Sequence, residues 1–168
     1  DFAVTAVLST VAIFILIAIC FKSISLPVIL VLSIELAIWI NLSISKLLGS
    51  ELSFIDPTVV NCVQLGATVD YAILLTTKFQ EKIRQGCQPP DAMRTATAGA
   101  LKSICQSAAV FFAACFGVYL VCDINMIRGI CVLLARGAII SFLVIALFLA
   151  PVLCVSENII SKTTKEWR

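Results

Sequence analysis

A chain of 168 residues that is 61% hydrophobic and carries a net charge of only +2 has too little polar surface for a soluble globular domain, whose apolar share is about half. Its mean hydropathy of +1.09 marks a membrane protein. The sequence contains no His, and its eight Cys show no Cys-x-x-Cys spacing, which argues against a zinc or redox centre; no metal, cofactor or nucleic-acid partner is expected. The thiols fall mainly in apolar stretches, where Cys behaves as a small hydrophobe.

Five stretches, at residues 4–21, 26–48, 58–78, 101–121 and 127–155, are long enough to cross a hydrocarbon core of about 30 Å, which takes about 20 helical residues. The first has neither a basic leader nor a small-residue cleavage site, so it is a span and not a signal peptide. The opening at Asp1, without Met, predicts a fragment of a longer protein. Pro27 sits near the start of the second helix, where its missing N–H does no harm. This helix carries Glu35 and Trp39 and is expected to stop near Gly49.

Asp56 and Pro57 are expected as N-cap and first residue of the third helix. That helix runs on past Lys78 and stops near Gly86. Pro89, Pro90 and Asp91 then start a short surface helix over 92–100, separate from the fourth span. In the fourth span Ala109, Ala113 and Gly117 form a small-residue stripe suited to a close neighbour. Pro151 predicts a kink in the fifth. The fold class is therefore all-α membrane protein: a five-helix transmembrane bundle over 1–157, with a cytoplasmic connecting segment at 79–100 and a basic cytoplasmic tail at 158–168.

Charge sets the orientation. Lys78, Lys82, Arg84, Arg94 and Lys102 lie between the third and fourth spans, and Lys162, Lys165 and Arg168 follow the fifth. Cytoplasmic loops hold such an excess, which places the C-terminus in the cytoplasm and residue 1 outside it.

Asp70 lies in the middle of the third span, where insertion scales charge about 2.5–3.5 kcal/mol for an Asp. A carboxylate at that depth normally faces a bundle interior or a wet path and moves or pairs a cation. Helical spacing puts Val63, Gly66, Ala67, Leu74 and Thr77 on its face, and the small residues at 66 and 67 are expected to lie against a neighbouring helix or water. Tyr71 follows directly, with a hydroxyl that can donate to a carboxylate or pass a proton. On the fourth span Gln106 and Ser107, one turn beyond Ser103, are candidate partners of Asp70 or ordinary interhelical glue worth about 0.6 kcal/mol per contact. Arg136 and Glu35 are the other intramembrane ionisable residues: Arg136 pairs with Asp70, pairs with Glu35, or snorkels outward, and the sequence leaves these open.

The run Gly66-Ala-Thr-Val-Asp-Tyr-Ala-Ile-Leu-Leu-Thr-Thr-Lys-Phe-Gln-Glu81 resembles the fourth or tenth transmembrane helix of the MMPL branch of the resistance-nodulation-division (RND) superfamily, where Gly-x-x-x-Asp-Tyr precedes a basic-aromatic-x-Glu exit. Ser103-Ile-Cys-Gln-Ser107 looks like that family's next helix. Arg136-Gly-Ala-Ile-Ile-Ser141 and Leu149-Ala-Pro-Val-Leu153 look like its last. Those exporters have two similar halves, each with one helix, a large extracytoplasmic domain and then five helices. The resemblance thus implies the second to sixth helices of a half, the first or second being left open.

It further implies a secondary transporter and not an enzyme: a proton-motive-force-driven exporter of lipids or other hydrophobic or amphiphilic compounds in the bacterial plasma membrane. Asp70 and Tyr71 would form its proton relay, facing the other half of the same transporter; protons, a hydrophobic substrate and a homo-oligomeric copy are the implied partners. Where the family pattern has Thr on the next helix, this chain has Gln106. The rival is a sterol-sensing-like module that binds lipid and regulates without transport. It shares the helix arrangement but has no need of a midplane carboxylate.

Overall fold

The structure is a computed structural model that describes residues 2–21, 23–47 and 55–163; the expected stop at Gly49 and the end of the basic tail lie outside the described residues. Within them the chain is helical: α1 (Phe2–Phe21), α2 (Ser25–Leu47), α3 (Asp56–Arg84), α4 (Pro89–Val121) and α5 (Asn125–Val144), which continues through a π turn (Ile145–Leu149) into α6 (Ala150–Thr163). Among the described residues five helical runs are long and apolar enough to cross a membrane, the last of them Asn125–Glu157. The protein is an all-α, multi-pass membrane protein. Hydrocarbon offers no partner to a bare N–H or C=O, so each apolar run closes its own backbone bonds as a helix.

The helix ends follow local chemistry. α3 starts one residue earlier than expected, with Ile55 as N-cap, Asp56 inside the first turn and Pro57 after it. It ends where Gly86 adopts φ 83°, a left-handed conformation that costs glycine nothing. There the Gly86 N–H donates to the Ile83 carbonyl at 2.9 Å and the Cys87 N–H to the Lys82 carbonyl at 3.2 Å, a Schellman closure of the last carbonyls.

The expected break between a surface helix over 92–100 and the fourth span is absent. α4 is one helix of 33 residues, because no proline interrupts it after Pro90 and Gly99, at the expected break, carries a penalty of only about 1 kcal/mol against Ala. At about 1.5 Å per residue α3 and α4 run about 43 and 50 Å, well beyond a core of about 30 Å. At Pro151 the ring would press on the carbonyl four residues back. The chain answers with the π turn at Ile145–Leu149, a wider turn that accommodates the disturbance without ending the helix.

α3 is the central helix and packs against α1, α2, α4 and α5. The larger core cluster includes Ile17, Leu30, Ile34, Leu75, Phe79 and Leu153. A smaller one, near the α4–α5 turn, gathers Val60, Cys115, Cys131 and Leu134, and these two thiols pack as small hydrophobes. Leu8, Trp39, Leu120, Leu147 and Val155 face outward, as suits a surface whose solvent is acyl chains. Ala109, Ala113 and Gly117 are also exposed, and nothing lies within 4 Å of a Cβ built on Gly117. The stripe that does take a neighbour on α4 is Ala92, Ala96, Ala100, Ile104 and Ala108, at the same four-residue spacing but one position out of phase with the expected one.

Candidate functional site

Asp70 is exposed on the outer face of α3, in line with Val63, Gly66 and Thr77. Among the described residues it makes no hydrogen bond or ion pair. Gly66 is exposed too, and a Cβ there would meet nothing within 4 Å; the expectation that it lies against another helix of this bundle is corrected. The buried side of α3 is the opposite one, with Leu65, Thr68, Ala72, Leu75 and Phe79.

Tyr71 belongs to that buried side. It is 6% exposed and sits in the larger core cluster. One residue of helix turns the side chain by about 100°, so Asp70 points out where Tyr71 points in, and no hydrogen bond joins the two. Ser103, Gln106 and Ser107 are exposed on α4, where together with Val110, Phe111 and Ala114 they line a shallow groove of about 560 Å³. They make no hydrogen bond to Asp70. Two polar stripes, one on α3 and one on α4, thus reach the outside of the bundle at membrane depth.

Glu35 accepts a hydrogen bond from the Thr10 hydroxyl at 2.7 Å, which joins α2 to α1. Arg136 pairs with neither Glu35 nor Asp70. Its Nε donates to Asn41 Oδ1 at 3.0 Å and its Nη2 to the Asn41 carbonyl at 3.1 Å and to the Ser45 hydroxyl. The reason is register: α2 presents Asn41 and Ser45 at the level of Arg136, while Glu35 lies six residues away, about 9 Å along the axis.

Around this guanidinium the structure closes a polar network built from uncharged side chains. Asn41 Nδ2 donates to Gln64 Oε1 at 2.8 Å and to the Leu133 carbonyl at 3.1 Å. Gln64 Nε2 donates to Ser141 Oγ at 3.1 Å, and Thr68 donates to the same oxygen at 2.9 Å. Asn41, Ser45, Gln64, Thr68 and Ser141 are all buried. Gly137 makes the network possible: a Cβ there would sit 2.7 Å from Gln64 Oε1 and 2.8 Å from Asn41 Nδ2, so only a hydrogen lets the amide pair lie against α5. A sequence signal existed, since α2, α3 and α5 each bring a polar or small pair at i and i+4 to one face: Asn41 and Ser45, Gln64 and Thr68, Gly137 and Ser141.

Chemically the two regions differ. The Arg136 network has neutral acceptors around a permanent cation and ties three helices together. The Asp70 stripe carries an acidic group in the middle of α3 and presents it to whatever lies outside the bundle.

The pattern of the MMPL family matches residues 1–162. The Bacillus subtilis (strain 168) protein YdgH, named only as a membrane protein, is 24% identical over 157 residues, which is 90% of this chain and 17% of that protein. The chain therefore spans less than a fifth of that relative's length. No solved structure matches.

Proposed function

The chain belongs to the MMPL family, and from that premise we propose that it forms part of the membrane machinery of a proton-motive-force-driven exporter of lipids or other hydrophobic or amphiphilic compounds, with Asp70 as the proton carrier. The supporting observation is that Asp70 is exposed on the outer face of α3 and has no partner among the described residues. A charged carboxylate costs about 2.5–3.5 kcal/mol against hydrocarbon, so this face calls for a polar or wet neighbour. The other half of the same transporter supplies one.

Proton uptake then changes what α3 can face. Ionised, Asp70 holds the interface wet or paired; neutral, it tolerates an apolar contact. Two packings with different proton affinity are what a coupled cycle requires. Tyr71, anchored in the core, fixes the rotation of α3 and hence the direction of Asp70. Ser103, Gln106 and Ser107 give the adjacent stripe of α4 hydroxyls and an amide with which to pass or hold the proton. In the bacterial plasma membrane the Gly86 turn faces the cytoplasm, where its Lys and Arg flanks belong by charge.

The test is substrate efflux from proteoliposomes holding the full-length protein, with an imposed pH gradient. Asp70→Asn keeps size and hydrogen bonding, so the protein should reach normal abundance and lose gradient-driven efflux, with Tyr71→Phe weaker in effect. Undiminished efflux by Asp70→Asn overturns the proton-carrier role and favours the sterol-sensing-like module.

A further inference from the structure

Where α3 gives way to α4 the structure leaves a cavity of about 430 Å³, walled by Ile83, Arg84, Cys87, Gln88 and Pro89 and, from α6, by Glu157. The turn makes it. Gly86 at φ 83° reverses the chain within a few residues, so the end of α3 and the start of α4 stand apart as two sides of a notch, and α6, which packs against α4, supplies the third. Arg84 and Cys87 are exposed, whereas Glu157 is only 3% exposed.

Charge and depth set the ligand of this cavity. Its wall carries both signs: a guanidinium, permanently protonated and shaped to hold a phosphate through parallel N–H···O bonds, and a buried carboxylate. A carboxylate accepts about four hydrogen bonds, so Glu157 can take a further donor beside the contact it makes within the protein. A simple anion would meet Glu157, and a simple cation would meet Arg84. A zwitterion satisfies both. Among the described residues no group of three acidic or thiol side chains gathers to hold a metal ion. As for depth, α3 has 29 residues and is about 43 Å long, which matches a bilayer of about 40–45 Å with its headgroups included. Glu157 is the last residue of the fifth apolar run. The cavity therefore opens in the headgroup layer.

We infer that the cavity at the Gly86 turn holds the headgroup of a zwitterionic phospholipid with a primary ammonium. The phosphate accepts hydrogen bonds from Arg84, the ammonium donates to Glu157, and Ile83 and Pro89 flank the less polar glycerol. A trimethylammonium has no N–H to give Glu157, and a glycerol head has no cation, so selectivity among lipids reads the carboxylate. Asp70 is not part of the wall, and the site stands whether or not Asp70 carries protons.

Cys87 is the reporter, being exposed and part of the wall. The full-length protein in phosphatidylcholine nanodiscs is treated with a soluble maleimide, and alkylation of the peptide bearing Cys87 is followed by mass spectrometry as phosphatidylethanolamine or phosphatidylglycerol replaces part of the phosphatidylcholine. Phosphatidylethanolamine should protect Cys87 at about tenfold lower content than phosphatidylglycerol. Glu157→Gln keeps the shape and removes the charge, and should bring the two lipids to parity. Because a change at a buried position can prevent folding, Arg84→Gln, at an exposed one, is the second variant and should weaken protection by phosphatidylethanolamine about tenfold. Asp70→Asn should leave it unchanged. Equal protection by the two lipids in the unmodified protein, or undiminished protection in Arg84→Gln, overturns the site. Full protection by soluble phosphoethanolamine at matched content, with no further effect of the lipid, overturns the lipid and leaves a site for a soluble zwitterion.

Discussion

Thr68 and Asp70 stand two residues apart on α3 and meet opposite surroundings. Thr68 is fully buried and bonded to the Gln64 carbonyl at 2.6 Å and to Ser141 at 2.9 Å; Asp70 is exposed and, among the described residues, bonded to nothing. The same contrast separates the two charged positions, since Arg136 lies among acceptors of its own bundle and Asp70 meets no donor among the described residues. Polar groups that point inward are closed by the bundle itself and hold α2, α3 and α5 together. A polar group that points outward at membrane depth states a requirement that these helices do not fill, and so points to a partner.

The largest test of that division exchanges the two faces of α3. Leu75 is 1% exposed, and Leu75→Ala should open a cavity and lower stability by about 2–4 kcal/mol. Gly66→Leu should leave the stability within about 0.5 kcal/mol, because a Cβ there meets nothing within 4 Å among the described residues, and should yet reduce gradient-driven efflux if the proposed interface with the other half lies on that face. Unfolding of the purified full-length protein in graded denaturing detergent, alongside the efflux assay, reads both. Equal destabilisation by the two substitutions would break the assignment of inner and outer faces.

A smaller effect is expected from Gly137→Ala. The added methyl would lie under 3 Å from both amides, so Gln64 or Asn41 must swing away and leave a buried donor or acceptor unsatisfied, at a cost of about 1–3 kcal/mol. Gln64→Leu in the same background removes one of the clashing amides. If the two substitutions add without coupling, the amide pair is not what Gly137 accommodates.

The sequence made the architecture readable because the spans are long and apolar, and because Gly86 and Pro89 punctuate α3 and α4 by their backbone chemistry alone. Where it misled, the missing quantity was rotation about a helix axis. Gly66, Ala109 and Gly117 are small residues with the right spacing on the outward side, while the largely alanine stripe from 92 to 108 takes the contacts. Asp70 stood out because a lone carboxylate in a span is costly in any rotation. The Arg136 network did not, since Asn, Gln, Ser and Thr carry no charge and gain meaning only when three helices bring them to one depth.

Glu35 is the position that the comparison leaves to be sorted, and Thr10 is the means of sorting it. α1 is the least buried helix, with Ile17 its one fully buried side chain among the described residues, and the 2.7 Å bond from Thr10 to Glu35 is a polar tie to α2. Thr10→Val keeps the shape of the side chain and removes only the donor. Interhelical hydrogen bonds in membranes average about 0.6 kcal/mol, so a stability loss of that size is expected, with efflux unchanged, as for an inward-facing tie that holds α1 in place. If efflux instead fell at unaltered stability, the carboxylate of Glu35 would join Asp70 as a working group, and the line between closed and open polar sites would have to be redrawn through α2.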